Sequence, residues 1–189
     1  MERLEKELKL FDMDSYRRKS DAPDEQLAQN LNLVVKYCDS DELPRDTKAT
    51  LSPAEDQTHY GIIKIQKDCA FSSFPFRHEL IHYFRDVKAG NRVTSEFARK
   101  RKGKTPNDKE QDVNYLTAAS IMPLEEIGGK LDEFERKSTQ EAEKDFLSAL
   151  SKQYEQNESA VLRRLIEVRA LADYANLVKQ LPQNPAHSA

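Results

Sequence analysis

The sequence SFPFRHELIHYF, residues 73–84, contains an H-E-x-x-H motif whose histidines are His78 and His82. Four residues span about one helical turn, so both imidazoles project from one face of a helix and can bind one metal ion. Glu79 lies about 100° round the helix from His78, where its carboxylate can accept a proton from an attacking water molecule. The motif therefore predicts a helix that carries the chemistry of a zinc hydrolase.

The alternative interpretation is a surface helix that happens to carry two unrelated histidines. The flanking residues favour a helix in either case, because Phe76, Leu80 and Phe84 provide apolar positions at helical spacing and no Gly or Pro interrupts residues 76–88. A short motif is confirmed only by its structural context, so a third metal ligand is the next requirement.

The composition predicts a soluble, cytoplasmic protein with one hydrophobic core. Of the 189 residues, 33% are charged and the formal net charge is −3, which argues against wholesale binding to nucleic acid. No apolar run approaches the roughly 20 residues of a membrane span, so no membrane association is expected. The first residues lack a hydrophobic export segment, and Cys38 and Cys69 are accordingly expected to be reduced thiols.

The pattern ahead of the motif predicts an α+β fold with a small sheet. A helix is predicted from Asp24 to near Cys38, followed by strands at residues 47–51 and 60–66. The second strand has β-branched residues and runs directly before the motif helix. Its free edge could therefore hold an extended peptide across the metal by strand addition.

A basic connector, residues 85–109, follows the motif helix. It contains nine Lys or Arg residues and three Asp or Glu residues, a net charge of +6 in a chain that is acidic overall. The simpler interpretation is a solvated, mobile loop. The alternative is a docking surface for an acidic partner or for DNA.

A second helix is predicted to begin at Thr105-Pro106, with Thr105 as N-cap, and to end before Pro123. Since a catalytic zinc usually has three protein ligands, Glu110 is the candidate for the third, on the helix face that it shares with Asn114. Asp112 is the rival, although it points away from that face. A glutamate in a first turn is also a common response to the helix dipole.

Helical patterns continue over residues 124–134, 138–154 and 158–181, and the tail after Pro182 is predicted to be disordered. These boundaries predict two domains: residues 1–136 would form the metal-binding domain, and residues 137–189 a helical extension, which could resemble a helix-turn-helix.

Residues 76–82, FRHELIH, and residues 110–123, EQDVNYLTAASIMP, resemble the ImmA/IrrE family of metallopeptidases. The family pattern is roughly R-F-T-x-A-H-E-x-G-H followed by E-x-x-A-N-x-F-A-A-x-L-L-M-P. Residues 150–154 and 159–165 are similar to its later helices, so the likeness covers about residues 60–167. The sequence departs from the pattern at three places: Phe76-Arg77 stands before the first histidine, Ile81 replaces Gly, and Leu116-Thr117 replaces Phe-Ala.

The resemblance implies a minimal zincin-like metallopeptidase with a helical C-terminal extension. It implies Zn²⁺, or another divalent ion such as Mn²⁺, held by His78, His82 and Glu110, with Glu79 as general base. Members of the family are similar in cutting an XRE-type (Cro-like) helix-turn-helix repressor, which relieves repression of mobile-element or stress-response genes. Some accompany that repressor in toxin–antitoxin-like pairs.

Two other functions stay open at this point. The C-terminal helices, with Arg163, Arg164 and Arg169, could make the chain a non-catalytic DNA- or repressor-binding module with a vestigial metal site, although the same arginines could form a solvated helix face. The chain could also be a toxin that its partner holds inactive. An oxyanion-stabilising residue cannot be chosen among the nearby Tyr60, Tyr83 and His59.

Overall fold

The computed structural model describes residues 23–69, 73–87, 90–95 and 108–180. These residues form six α-helices and a three-stranded mixed sheet, so the predicted α+β class is confirmed. The helices are α1 (Pro23–Asn30), α2 (Ser73–His82), α3 (Asp108–Ile121), α4 (Leu124–Glu135), α5 (Gln140–Tyr154) and α6 (Glu158–Gln180). The strands are β1 (Leu33–Cys38), β2 (Ala49–Ser52) and β3 (Gly61–Gln66), and a 3₁₀ turn (Ser40–Glu42) follows β1.

The helix predicted from Asp24 to near Cys38 is wrong beyond Asn30, because Leu33–Cys38 forms β1. Asn32 ends the helical segment in the left-handed region, at φ 58°, which asparagine tolerates better than most residues. The strand itself has the sequence LVVKYC, and its adjacent valines and its tyrosine suit a pleated strand better than a helix.

The strand at residues 60–66 is the central strand of the sheet, so the prediction that it has a free edge is wrong. The order is β1-β3-β2, with β1 parallel and β2 antiparallel to β3. Leu51 of β2 lies opposite Ile63, and the main chain of Gln66 donates to Lys48 O at 2.9 Å. The alternation of an antiparallel ladder then directs the N–H of Leu51 away from β3. Among the described residues, the outer edge of the sheet nearest the motif helix is therefore that of β2.

The described residues divide into two compact units between Ile121 and Met122. In the N-terminal unit, α1 and α2 pack against the sheet around a buried core. The fully buried side chains of this core include those of Leu33, Leu51, Ile63, Ile65, Phe76 and Leu80. This packing fixes α2, and with it the H-E-x-x-H motif, next to β2 and β3.

In the C-terminal unit, α4 and α5 each pack against α6. Thr139 caps α5 by accepting a hydrogen bond from Ala142 N at 3.2 Å, and Glu155 ends that helix in the left-handed region. Helix α4 thus belongs to the C-terminal unit. The domain boundary expected between residues 136 and 137 stays a prediction. In the described part of the chain, no helix is long and apolar enough to cross a membrane.

Candidate metal centre

Helices α2 and α3 bring the three predicted metal ligands together. The Nε2 atoms of His78 and His82 lie 3.2 Å apart. Glu110 Oε2 lies 3.5 Å from the first and 3.4 Å from the second. His82 is buried, whereas His78 and Glu110 are partly exposed. These three residues therefore form a group that could hold a metal ion and that solvent can reach from one side.

The spacing of the three donor atoms fits a tetrahedral zinc ion. Zinc bonds of 2.0–2.1 Å in a tetrahedron place neighbouring ligand atoms about 3.3–3.4 Å apart, and the three observed separations are 3.2, 3.4 and 3.5 Å. A hydrogen bond, by contrast, would join only two of these three donor atoms. The nearly equal sides of the triangle mean that one ion could contact all three atoms, so the group could hold a metal ion.

Asp86 contacts the second ring nitrogen of His82. Its Oδ2 lies 2.8 Å from His82 Nδ1, and an ionised carboxylate can only accept in such a bond. When the Nδ1 proton is donated in that bond, a neutral His82 ring has its lone pair on Nε2, the atom that lies next to His78 and Glu110. The chain is α-helical up to His82 and continues as a π-helix over Tyr83–Val87, the segment that contains Asp86.

Glu79 lies between the histidines in sequence and contacts the sheet. Its side chain is buried, and Oε2 accepts a hydrogen bond of 2.9 Å from Leu51 N. That N–H lies on the outer edge of β2, on the side away from β3. The carboxylate proposed as general base therefore contacts the edge strand directly.

Contacts at both ends hold α2 and α3 antiparallel. The buried Arg77 donates from Nη1 to Ser120 O, 2.5 Å away in the last turn of α3. Beyond the other end of α2, Arg85 pairs with Asp112 at 3.4 Å. Asp112, the rival third ligand, thus contacts an arginine, while Glu110 contacts the histidines.

The buried Ile81 packs with Val113 and Leu116 between α2 and α3. Ile81 and Leu116 are two of the positions at which the sequence departs from the ImmA/IrrE pattern. Ile81 on α2 is larger than the Gly of the family pattern, and Leu116 on α3 is smaller than its Phe. With both departures present, the three candidate ligands still lie together.

The three candidates for stabilising an oxyanion have other roles. Tyr83 is buried, its hydroxyl donates to Asn91 O and accepts from Gly90 N, each at 3.1 Å, and burial raises its pKa. His59 Nδ1 lies 2.9 Å from Asp56 Oδ2, and bonds from the His59 side chain, its main chain and Thr58 hold the pKa of that carboxyl below its usual range. Tyr60 packs against the core. None of these observations assigns an oxyanion role.

Several sequence predictions fall outside the described residues. They are the Thr105-Pro106 cap, the tail after Pro182 and most of the basic connector. Within the connector, Arg92 donates to the carbonyl oxygens of Asp56 and Gln57, which ties it to the β2–β3 loop. Asn114, one turn after Glu110, is exposed.

Sequence reasoning missed three contacts of this centre, those of Arg77, Asp86 and Leu51. An acidic residue four positions after a ligand histidine was a usable indication for Asp86. Nothing in the local sequence indicated that Arg77 would meet a carbonyl 43 residues away or that Glu79 would meet a main-chain N–H 28 residues earlier.

Comparison of the sequence with known protein families gives no match, and comparison with curated proteins gives none at a significant level. The resemblance to ImmA/IrrE metallopeptidases therefore depends on the motif residues, and membership of that family stays a prediction. Independently of any relative, the geometry establishes an α+β fold with a group of two histidines and a glutamate that could hold a metal ion.

Proposed function

We propose that this protein is a zinc-dependent endopeptidase. The observation that carries the proposal is the position of Glu79. One helix presents two histidines towards Glu110 and, between them in sequence, a carboxylate bonded to the N–H of Leu51 on the outer edge of β2. Donors for a metal ion, a base and an edge for a peptide main chain are thus brought together by α2, α3 and β2.

The residues have distinct parts in this proposal. His78, His82 and Glu110 hold the ion, which when bound polarises the scissile carbonyl and makes water more acidic. The substrate would lie along the outer edge of β2, where Ala49 directs its main-chain groups away from β3 and the N–H of Leu51 is already bonded to Glu79. Glu79 accepts the proton of the attacking water and returns it to the leaving amine. Its hydrogen bond to Leu51 N orients the carboxylate beside that edge.

The proposed substrate is a helix-turn-helix repressor of the XRE type, or an antitoxin of that kind, whose cleavage relieves repression. This narrower statement is supported by the motif resemblance, in which H-E-x-x-H is combined with E-x-x-x-N and Met-Pro. The same site in a toxin held inactive by its partner would have a broader target.

The structure gives less support to a DNA-binding module built on the C-terminal arginines. Arg164 is fully buried, with Nε donating to Met122 O at 3.1 Å. Arg169 pairs with Glu135 and with Asp173. Arg163 is exposed, and no ion pair with another described residue is seen for it.

The variant Glu79→Gln tests the proposal, because it keeps size and polarity but cannot accept the proton. Purified protein would be incubated with a proteome-derived peptide library and with XRE-type helix-turn-helix repressors from the same proteome, and the cleavage products would be identified by mass spectrometry. We expect Glu79→Gln to retain its metal and to lose cleavage by a factor on the order of 10²–10⁴.

Glu55→Gln is the matched control, since Glu55 is an exposed glutamate of the same unit. It should cleave like the wild type. Cleavage by Glu79→Gln at the wild-type rate, or a metal-loaded wild type that cuts neither substrate, would contradict the endopeptidase proposal. Cleavage of library peptides but not of the repressor would contradict only the substrate assignment.

A further inference from the structure

We infer that Asp86 is a positioning residue of the metal centre, which orients His82 and determines which ring nitrogen faces the metal. Asp86 Oδ2 lies 2.8 Å from Nδ1 of the buried His82, on the opposite side of the ring from the Nε2 that faces Glu110. The inference depends on the proposed metal centre but not on the peptidase activity.

The main chain supports this role. The hydrogen-bonding pattern changes from α to π directly after His82, and the π segment covers Tyr83–Val87. A π turn contains more residues than an α turn, so residues after His82 lie at a different angle around the axis than an α-helix would give them. The segment is also held in place, because the buried Tyr83 bonds through its hydroxyl to Gly90 N and Asn91 O.

The charge of Asp86 is poorly suited to its position unless it has a specific partner. It lies beyond the last α-helical residue of α2, at a helix C-terminus, where the helix dipole disfavours an acidic side chain. The neighbouring Arg85 pairs with Asp112. The short bond to His82 offsets the unfavourable position, and a histidine oriented in this way pre-forms the lone pair that a metal ion requires.

The contribution of such a carboxylate is measurable as metal affinity. Loss of an outer partner of a metal-bound histidine typically weakens metal binding by about 10–100-fold. Without Asp86, His82 could place its proton on either nitrogen and rotate, so the ion would bind to a less ordered set of donors. The conservative Asp86→Asn variant keeps an oxygen that can accept the bond but removes the charge.

The experiment compares the wild type with Asp86→Ala and Asp86→Asn in the full chain. Zn²⁺ affinity would be measured by competition with a chromophoric chelator, and the visible absorption of the Co²⁺-loaded protein would report the ligand geometry. We expect Asp86→Ala to bind Zn²⁺ about 10–100-fold more weakly with an altered Co²⁺ spectrum, and Asp86→Asn to fall between Asp86→Ala and the wild type.

Asp112→Asn is the matched control, because it removes a neighbouring carboxylate that pairs with Arg85 instead of a histidine. It should keep the wild-type affinity and spectrum. Thermal melting in excess EDTA should be similar for all variants if Asp86 acts through the metal. Wild-type affinity in Asp86→Ala, or an equal loss in Asp112→Asn, would overturn the inference. A wild type that binds no Zn²⁺ would instead overturn the metal centre itself.

Discussion

At the scale of single residues, the centre depends on three donor atoms separated by 3.2–3.5 Å. The i, i+4 spacing of the histidines was predictable, because it follows from helix geometry alone. The choice of Glu110 over Asp112 depended on helix register, and the structure places Glu110 with the histidines and Asp112 with Arg85. Asp86 was not predicted, although its position four residues after His82 was a usable indication.

The first prediction at this scale concerns the histidines. His78→Ala and His82→Ala should each abolish stoichiometric binding of about one metal ion per chain, because each removes one of three donors. Metal content would be measured by mass spectrometry of dialysed protein. His59→Ala provides the control, since His59 bonds to Asp56 in the β2–β3 loop. Unchanged stoichiometry in either motif variant would count against the site.

The second prediction separates the two acidic candidates. Glu110→Gln should weaken metal binding, because an amide oxygen is a poorer and uncharged ligand, whereas Asp112→Asn should bind like the wild type. Isothermal titration with Zn²⁺ against a competing chelator measures both variants under the same conditions. Release of zinc by the Asp112 substitution alone would mean that the helix register deduced for the site is wrong.

At the scale of secondary-structure elements, most helices could be predicted, but their partners could not. Helices α3 to α6 follow hydrophobic periodicity and breakers such as Pro123. The segment Leu33–Cys38 continued an apolar pattern from α1 and was assigned to the wrong class, because short apolar runs fit either helix or strand. Strand order depends on distant pairing, so the local sequence of β3 did not indicate that it would be central.

The tie between α2 and α3 leads to a third prediction. Arg77→Met should destabilise the fold by about 2–3 kcal/mol, because it removes a charged donor from a buried carbonyl at the end of α3. Arg85→Met removes a solvent-exposed ion pair and should cost less than about 1 kcal/mol. Urea denaturation followed by circular dichroism gives both values. Equal effects would show that Arg77 is not a specific tie between the helices.

At the scale of the whole molecule, all three candidate ligands lie in the N-terminal unit, on α2 and α3. The C-terminal unit has its own buried core, which includes Ile127, Leu150, Val161 and Leu165. The division between Ile121 and Met122 was not predicted, because Pro123 looked like an ordinary helix stop in a continuous helical region. The location of the ligands means that metal binding should stabilise one unit directly.

The last prediction follows from that location. An ion that binds the folded chain at a concentration 1,000 times its Kd stabilises it by about 4 kcal/mol. Hydrogen exchange followed by mass spectrometry should therefore show slower exchange with Zn²⁺ than with EDTA in peptides from Ser73–His82 and Asp108–Ile121. Peptides from Gln140–Tyr154, in the other unit, should change little.

The variant His82→Ala is the control. Its hydrogen exchange should be the same in Zn²⁺ and in EDTA, because it lacks one of the three metal donors. Equal protection of both units by Zn²⁺ in the wild type would contradict a stabilisation confined to the unit that contains the ligands. Protection by Zn²⁺ that persists in His82→Ala would show that the ion binds elsewhere.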